Sequence, residues 1–198
     1  FNVYNSLAAV TTCGIIGIPI EVMQDSQSDM KVRGRLEPVE IPGYARIFID
    51  YAHNAVSLEN VLTTLRQYRP KRLICLFGCG GNRSAGRRKG MGFVSGRLAD
   101  ITVITSDNPR FESPEAIMTD IETGVLEGGG EYVKICSRLD AIRYALEISD
   151  RDDIVLLAGK GHETYQDIEG HRTHMDEREM IRQILEEKNA GIVRRCDN

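Results

Sequence analysis

The sequence predicts an α/β fold: a Rossmann-like, doubly wound, mostly parallel sheet that ends in a hairpin. Short runs of β-branched and aliphatic residues alternate with helical patterns along most of the chain, and this alternation favours parallel strands joined by helices. The run Asp153–Ala158 is almost wholly apolar, which is typical of a central strand covered on both faces. Polar, glycine-rich segments follow several of the runs, where α/β sheets bind ligands.

Each element follows from a local pattern. Strands are expected where aliphatic residues run together, and helices where apolar residues recur three and four positions apart. Ser113 and Pro114 form an N-cap and first helical residue, and Glu169-Gly170 marks the hairpin turn. The predicted strands are Arg35–Val39, Ala45–Asp50, Arg72–Phe77, Ile101–Thr105, Glu131–Cys136 and Asp153–Ala158. The predicted helices are Asn2–Cys13, Asn54–Tyr68, about Lys89–Leu98, Pro114–Leu126, one from Ser137 and one from Asp176, with a further short helix possible after Pro19.

Composition limits the class of protein. The chain has 198 residues, 41% of them apolar, and a formal net charge of -4, so we expect a globular protein without a nucleic-acid or membrane partner. Five cysteines without a CxxC pair favour reduced thiols and a cytoplasmic protein over a disulfide frame or a zinc site. Residues 24–34 are polar and predict a linker, which divides the chain into residues 1–34 and a domain of residues 35–198.

The segment Ile101–Arg110 places polar groups at the end of a buried strand. The strand stops before Asp107, because Pro109 cannot donate a ladder hydrogen bond. Asn108 and Arg110 are thereby delivered to the carboxyl edge of the sheet. In isolation, this segment could equally be an ordinary polar loop.

The loop at residues 78–92 is rich in glycine and basic residues. Arg83 stands where a dinucleotide fingerprint needs its third glycine, and the chain contains no Walker A motif. Arg83, Arg87, Arg88 and Lys89 instead precede or open a helix. This arrangement is compatible with an anion site at a helix N-terminus or with a solvated basic loop.

Two further loops carry polar groups to the same edge. Gly159 permits a close backbone approach, and Glu163 supplies a carboxylate four residues later. Asp50 and His53 follow the first parallel strand, where an aspartate commonly accepts from a ribose or caps a turn. Guanidinium groups pair well with carboxylates, and a carboxylate such as that of Glu163 can hold an ammonium. These loops together predict a site for an amino acid with more than one carboxylate.

Six ordered motifs resemble the Mur ligase family, in its diaminopimelate-adding branch. They are FNVYNSLAA, GRLE, DYAHN, FGCGGNR, DNPR and AGKGHETYQ. The resemblance implies the C-terminal domain of a bacterial cytoplasmic ligase that uses ATP and Mg²⁺ to join meso-diaminopimelate to a UDP-MurNAc-dipeptide. Residues 1–34 would then be the tail end of the central ATPase domain plus a linker. Catalytic groups and most metal ligands would lie outside this chain, which alone should be inactive.

The resemblance also assigns roles by position. It implies diaminopimelate contacts at Arg83, Asp107, Asn108, Pro109, Arg110, Gly159 and Glu163, and ATP contacts at Arg35, Asp50 and His53. An intact DNPR favours diaminopimelate over lysine. A lysine-adding or folylpolyglutamate-type relative, or a non-catalytic amino-acid-binding module, stays open as an alternative.

Overall fold

The computed structural model describes residues 2–28 and 32–196 and divides into two compact units, Phe1–Val32 and Arg33–Asn198. The first unit contains helices α1 (Asn2–Ile15) and α2 (Ile20–Ser28). Helix α2 therefore extends into the stretch that the sequence predicted as a linker. Its helical path is compatible with the polar composition, because a helix with exposed faces tolerates polar residues.

The second unit is the predicted α/β domain. Its strands are β1 (Glu37–Val39), β2 (Arg46–Asp50), β3 (Leu73–Phe77), β4 (Ile101–Ile104), β5 (Glu131–Lys134), β6 (Ile154–Ala158), β7 (Tyr165–Ile168) and β8 (His171–His174). Its helices are α3 (Ala55–Arg66), α4 (Ala85–Leu98), α5 (Pro114–Glu127), α6 (Arg138–Ile148) and α7 (Glu177–Cys196). Strands β7 and β8 form the predicted antiparallel hairpin, with Ile168 opposite His171 beside the turn.

The main sheet has the order β1-β2-β6-β3-β4-β5, in which only the β1–β2 pairing is antiparallel. Every residue of β3 and β6 is buried, because both strands are interior and both faces of the sheet are covered. Alternate strand residues supply two cores: Phe77 packs with α3, α4 and α5, whereas Leu76 packs with α6 and α7. The prediction of a mostly parallel sheet with β6 inside it is confirmed.

Three helices begin directly after a residue whose side chain caps the first turn. Asn54 and Ser137 accept hydrogen bonds from the backbone amides of Ser57 and Asp140, at 2.9 and 3.3 Å. Ser113 accepts from Ala116 in the same way at 3.4 Å, with a proline in the first turn of α5. These side chains satisfy amides that a helix leaves without partners, so they fix where each strand-to-helix loop ends.

Several predicted boundaries were wrong by one or two residues, and the start of α4 was wrong by four. The first strand begins at Glu37 rather than Arg35, because Leu36 adopts a φ of 44° and donates its amide to Asp50 Oδ2 at 2.7 Å. Helix α4 begins at Ala85, four residues before the predicted start. The glycines in this helix hid its periodicity: Gly92 allows α4 to approach α5 so closely that a Cβ there would lie 2.1 Å from Ile121 O.

Candidate functional site

Four loops meet at the carboxyl edge of the parallel strands and enclose a polar cavity of about 260 Å³. The loops follow β2, β3, β4 and β6, as the doubly wound order requires. The lining residues are Tyr51, His53, Gly78, Cys79, Gly80, Arg83, Arg87, Asp107, Asn108, Arg110, Gly159 and Glu163. Seven of the residues predicted from the sequence therefore lie around one cavity: His53, Arg83, Asp107, Asn108, Arg110, Gly159 and Glu163.

The other three predicted residues lie outside the cavity lining. Pro109 is buried, with its carbonyl directed against Gly81. Asp50 is 2% exposed and accepts the amides of Leu36 and Ala52 at 2.7 and 2.8 Å. Burial raises the pKa of Asp50, although both amides oppose that shift. The contacts of Asp50 tie the segment before β1 to the end of β2, and its role toward ATP stays a prediction.

Arg35 and His53 surround the side chain of Tyr51. The Arg35 guanidinium lies 5.2 Å from the centroid of the Tyr51 ring, and the His53 ring lies 4.8 Å from it. His162 packs on the same tyrosine at 4.8 Å. This aromatic and cationic cluster adjoins the cavity through Tyr51 and His53, so it can offer a stacking surface beside the polar site.

The glycine-rich loop and the loop after β4 are interlocked. Gly81 donates its amide to Asn108 O at 2.8 Å, and Arg110 Nη1 donates to Gly81 O at 2.6 Å. A Cβ on Gly81 would lie 1.9 Å from Pro109 O, so only glycine fits here without a shift. These glycines serve contact between the two loops, which explains why they do not follow a dinucleotide fingerprint.

Arg110 has a backbone that is unusual for its residue type. Its φ is 53°, in the left-handed region that side chains rarely adopt. The strand β7 holds it there: Arg110 N donates to Asp167 O at 3.0 Å, and Glu169 N donates to Arg110 O at 2.7 Å. The hairpin thus fixes the direction of the Arg110 side chain, at a conformational cost of about 1–3 kcal/mol.

The four basic residues at 83 and 87–89 differ in their contacts. Arg88 is 3% exposed and pairs with Glu112 and Asp120 at 2.8 and 3.0 Å, and Lys89 pairs with Glu127 at 2.6 Å. Of the four basic residues, these two are therefore held in ion pairs with carboxylates of this chain, Arg88 in the interior and Lys89 at the surface.

Arg83 and Arg87 line the cavity, and neither forms an ion pair with another described residue. With Arg110, they bring three guanidinium groups to the cavity, against the carboxylates of Asp107 and Glu163. A ligand with both carboxylate and ammonium groups would complement this set.

Cys79 is not suited to act as a nucleophile. Its thiol is buried, and burial raises its pKa to about 12, so the reactive thiolate is scarce near neutral pH.

Two buried cations below the site were not anticipated. Lys160 is fully buried under Asn108 and Glu163, whereas Arg138 contacts Glu177 and the carbonyls of Ser106 and Ala158. Glycines on either side of Lys160 were the only local signal, and Arg138 had none, because its partners are distant in the sequence. No cluster of three or more potential metal ligands occurs among the described residues.

The family model named Mur ligase, glutamate ligase domain, matches residues 34–161. The chain belongs to the Mur ligase family. Its sequence is 45% identical, over 94% of its length, to a UDP-N-acetylmuramoyl-L-alanyl-D-glutamate--2,6-diaminopimelate ligase of Caldanaerobacter subterraneus subsp. tengcongensis. It is 44% identical, over 93% of its length, to the second such ligase of Clostridium acetobutylicum. The chain spans 39% and 38% of these two relatives.

Solved structures agree with the sequence relatives. A UDP-N-acetylmuramoyl-L-alanyl-D-glutamate--2,6-diaminopimelate ligase matches with a TM-score of 0.74 and 33% identity, over 95% of this chain and 39% of its own. The UDP-N-acetylmuramate-alanine ligase of Thermotoga maritima matches at 0.67 and 18% identity, over 96% of this chain and 38% of its own. The latter supports the fold alone. Within the described part of this Mur ligase chain, no helix is long and apolar enough to span a bilayer.

Proposed function

We propose that this chain is the amino-acid-binding domain of an ATP-dependent ligase that adds meso-diaminopimelate to UDP-MurNAc-L-Ala-D-Glu. The observation that carries the proposal is the cavity at the sheet edge, with three guanidinium groups and two carboxylates in its lining. The relatives at 44% and 45% identity have this ligase name. The product would serve peptidoglycan synthesis in the bacterial cytoplasm, and hence cell shape and division.

The charges of the cavity suit diaminopimelate better than lysine. Lysine ends in a single ammonium, whereas meso-diaminopimelate ends in a second ammonium and carboxylate. Arg110 can use the N–H groups that it does not donate to Gly81 to bind that second carboxylate. Glu163 or Asp107 can then pair with the second ammonium. A lysine side chain would leave the guanidinium without its anion.

The chemistry requires an activated acyl group. The D-glutamate γ-carboxylate is converted to an acyl phosphate at the expense of ATP, the amine of the incoming amino acid attacks it, and phosphate leaves. This chain holds the amine donor for that attack, which is largely a matter of orientation. Arg35, Asp50 and His53 are proposed to complete the nucleotide site from this side. Mg²⁺ would neutralise phosphate charge, held mostly by residues outside the chain.

The test is an assay of the full-length protein with ATP and UDP-MurNAc-L-Ala-D-Glu. Phosphate release and tripeptide formation are measured with meso-diaminopimelate or L-lysine as acceptor. We expect turnover that favours meso-diaminopimelate, and none from residues 1–198 alone. Equal or better turnover with lysine would contradict the substrate assignment. Binding of the amino acid without any ligation would instead indicate a non-catalytic module.

A further inference from the structure

The ammonium of Lys160 lies beneath the cavity rather than in it. Its side chain is fully buried, and it is absent from the cavity lining. Its Nζ donates to Asn108 Oδ1 at 2.8 Å and to the backbone carbonyl of Tyr165, and it lies 3.4 Å from Glu163 Oε2. A lysine is almost never fully buried without partners, and here each of its three donors has an oxygen to face.

Lys160 determines which way the Asn108 amide points. Asn108 Oδ1 accepts from Lys160 Nζ at 2.8 Å and from Asp167 N at 2.9 Å, so both of its lone pairs are used. The opposite orientation would direct an NH₂ donor at an ammonium and at a backbone N–H. Asn108 Nδ2 is therefore directed to Glu163 Oε2, which it reaches at 3.0 Å.

Glu163 is held at one oxygen and freer at the other. Its Oε2 contacts both Asn108 and Lys160, whereas among the described residues its Oε1 has only the Tyr51 hydroxyl, at 3.4 Å. Since Glu163 lines the cavity, its Oε1 is the oxygen available to a ligand. The carboxylate of Asp107, also in the lining, lies 4.0 Å from Lys160 Nζ.

We propose that Lys160 is a positioning residue for amino-acid recognition: it orients Asn108 and holds Glu163 in place for an ammonium of the substrate. The proposal rests on the function proposed above. Lys160 does not touch the substrate. It acts through Glu163, whose Oε2 it contacts directly and through the amide of Asn108.

The charged surroundings of Lys160 come from several elements. Asp107 and Glu163 face it as anions, and Arg138 of α6 faces it as a second cation. The Tyr51 hydroxyl adjoins Glu163, the Tyr165 ring lies 5.2 Å from Lys160 Nζ, and Glu177, the partner of Arg138, also attracts Lys160. Burial lowers the pKa of Lys160, the two carboxylates oppose this, and Arg138 adds to it. The lysine is thus the one buried cation in contact with Glu163 among the described residues.

The test compares the full-length protein with its Lys160→Met variant in the ligation assay. We expect the KM for meso-diaminopimelate to rise about tenfold while the KM for ATP stays within about twofold. The kcat at saturating meso-diaminopimelate should change less than the KM does, because Lys160 does not touch the reacting groups. Lys89→Met is the matched control, since Lys89 pairs with Glu127 at 2.6 Å on the surface. Lys89→Met should leave the KM for meso-diaminopimelate and the kcat unchanged.

The outcomes separate the two proposals. If the wild-type protein does not ligate meso-diaminopimelate, the proposed function fails. If the wild type is active and folded Lys160→Met keeps the wild-type KM for meso-diaminopimelate, only the role of Lys160 is overturned.

Should Lys160→Met not fold, the single variant Glu163→Gln is compared with Glu163→Gln/Lys160→Met, in which the carboxylate of Glu163 is removed together with the cation that it contacts. Equal KM values for meso-diaminopimelate would support action through Glu163. A further tenfold rise in the double variant would overturn it.

Discussion

Arg138→Met should destabilise the domain more than any surface charge substitution, because Arg138 is a buried cation below the site. Its side chain is 1% exposed, and so is that of Glu177, which it contacts at 2.7 and 3.0 Å. The same guanidinium donates to Ser106 O and Ala158 O at 3.2 and 3.0 Å. It therefore connects α7 to the ends of β4 and β6, where the two loops with DNPR and Gly159 begin.

The size of the destabilisation follows from the Glu177 carboxylate, which Arg138→Met leaves buried without its partner. Removing one partner of a buried ion pair costs about 3–5 kcal/mol, because the remaining charge is neither solvated nor paired. The two carbonyls that lose a donor place Arg138→Met toward the upper part of that range. Arg138→Met/Glu177→Leu removes both charges, and it should lie within about 1–2 kcal/mol of the wild type. Arg143→Met, on the same helix, breaks surface pairs with Glu187 and Asp140 and should cost at most about 1 kcal/mol.

The measurement is equilibrium urea unfolding of the four proteins at neutral and acidic pH. Burial raises the pKa of Glu177, and the Arg138 guanidinium partly offsets this. The part of the penalty that comes from the unpaired Glu177 charge is therefore absent below the ordinary pKa of a glutamate and grows as the pH rises toward the folded-state value, whereas the part from the two carbonyls stays. A single variant no less stable than Arg143→Met, or a double variant as unstable as the single, would refute this reasoning.

Two further predictions concern particular contacts. Gly81→Ala should raise the KM for the amino acid in the full-length protein, because its Cβ would meet Pro109 O at 1.9 Å. Gly86→Ala is the control, since its Cβ would meet open space and the KM should stay unchanged. Equal KM values for the two variants would contradict the contact between the two loops. Asp153→Asn should lower the free energy of unfolding by about 1–3 kcal/mol at neutral pH. Burial opposes ionisation of Asp153, but Arg72 at 2.6 Å and the Asp150 amide at 2.9 Å together lower its pKa. The difference from wild type in urea unfolding should therefore shrink as the pH falls through that lowered pKa, and a constant difference would exclude the ion pair as its cause.

Much of the fold could be predicted because its signals are local. The apolar runs of β3 and β6 identify interior strands, and the capping residues Asn54, Ser113 and Ser137 mark where helices start. The convergence of the polar loops at one edge also follows from local information, since parallel strands share their carboxyl edge. Boundaries failed where a long-range contact decides them, as at Leu36, whose amide is bound by Asp50.

The buried polar contacts beneath the site could not be predicted from the sequence. Lys160 and Asn108 are 52 residues apart, and Arg138 and Glu177 are 39 apart. Only the tertiary fold brings these pairs together. In the same way, four basic residues in one loop look equivalent in the sequence, yet Arg88 is held by Glu112 and Asp120 whereas Arg83 faces the cavity.

The central claim is that the loop containing Arg110 selects the incoming amino acid, and substrate preference tests it most directly. The quantity to measure is the ratio of kcat/KM for meso-diaminopimelate to that for L-lysine in the full-length protein, its Arg110→Ala variant and the surface control Arg97→Ala. The wild type and Arg97→Ala should share a ratio of about 100 or more, because a half-buried guanidinium left without its anion penalises lysine.

In Arg110→Ala, kcat/KM for meso-diaminopimelate should fall while that for lysine stays, so most of the ratio is lost. An Arg110→Ala protein that keeps the wild-type ratio would place recognition elsewhere and contradict the claim.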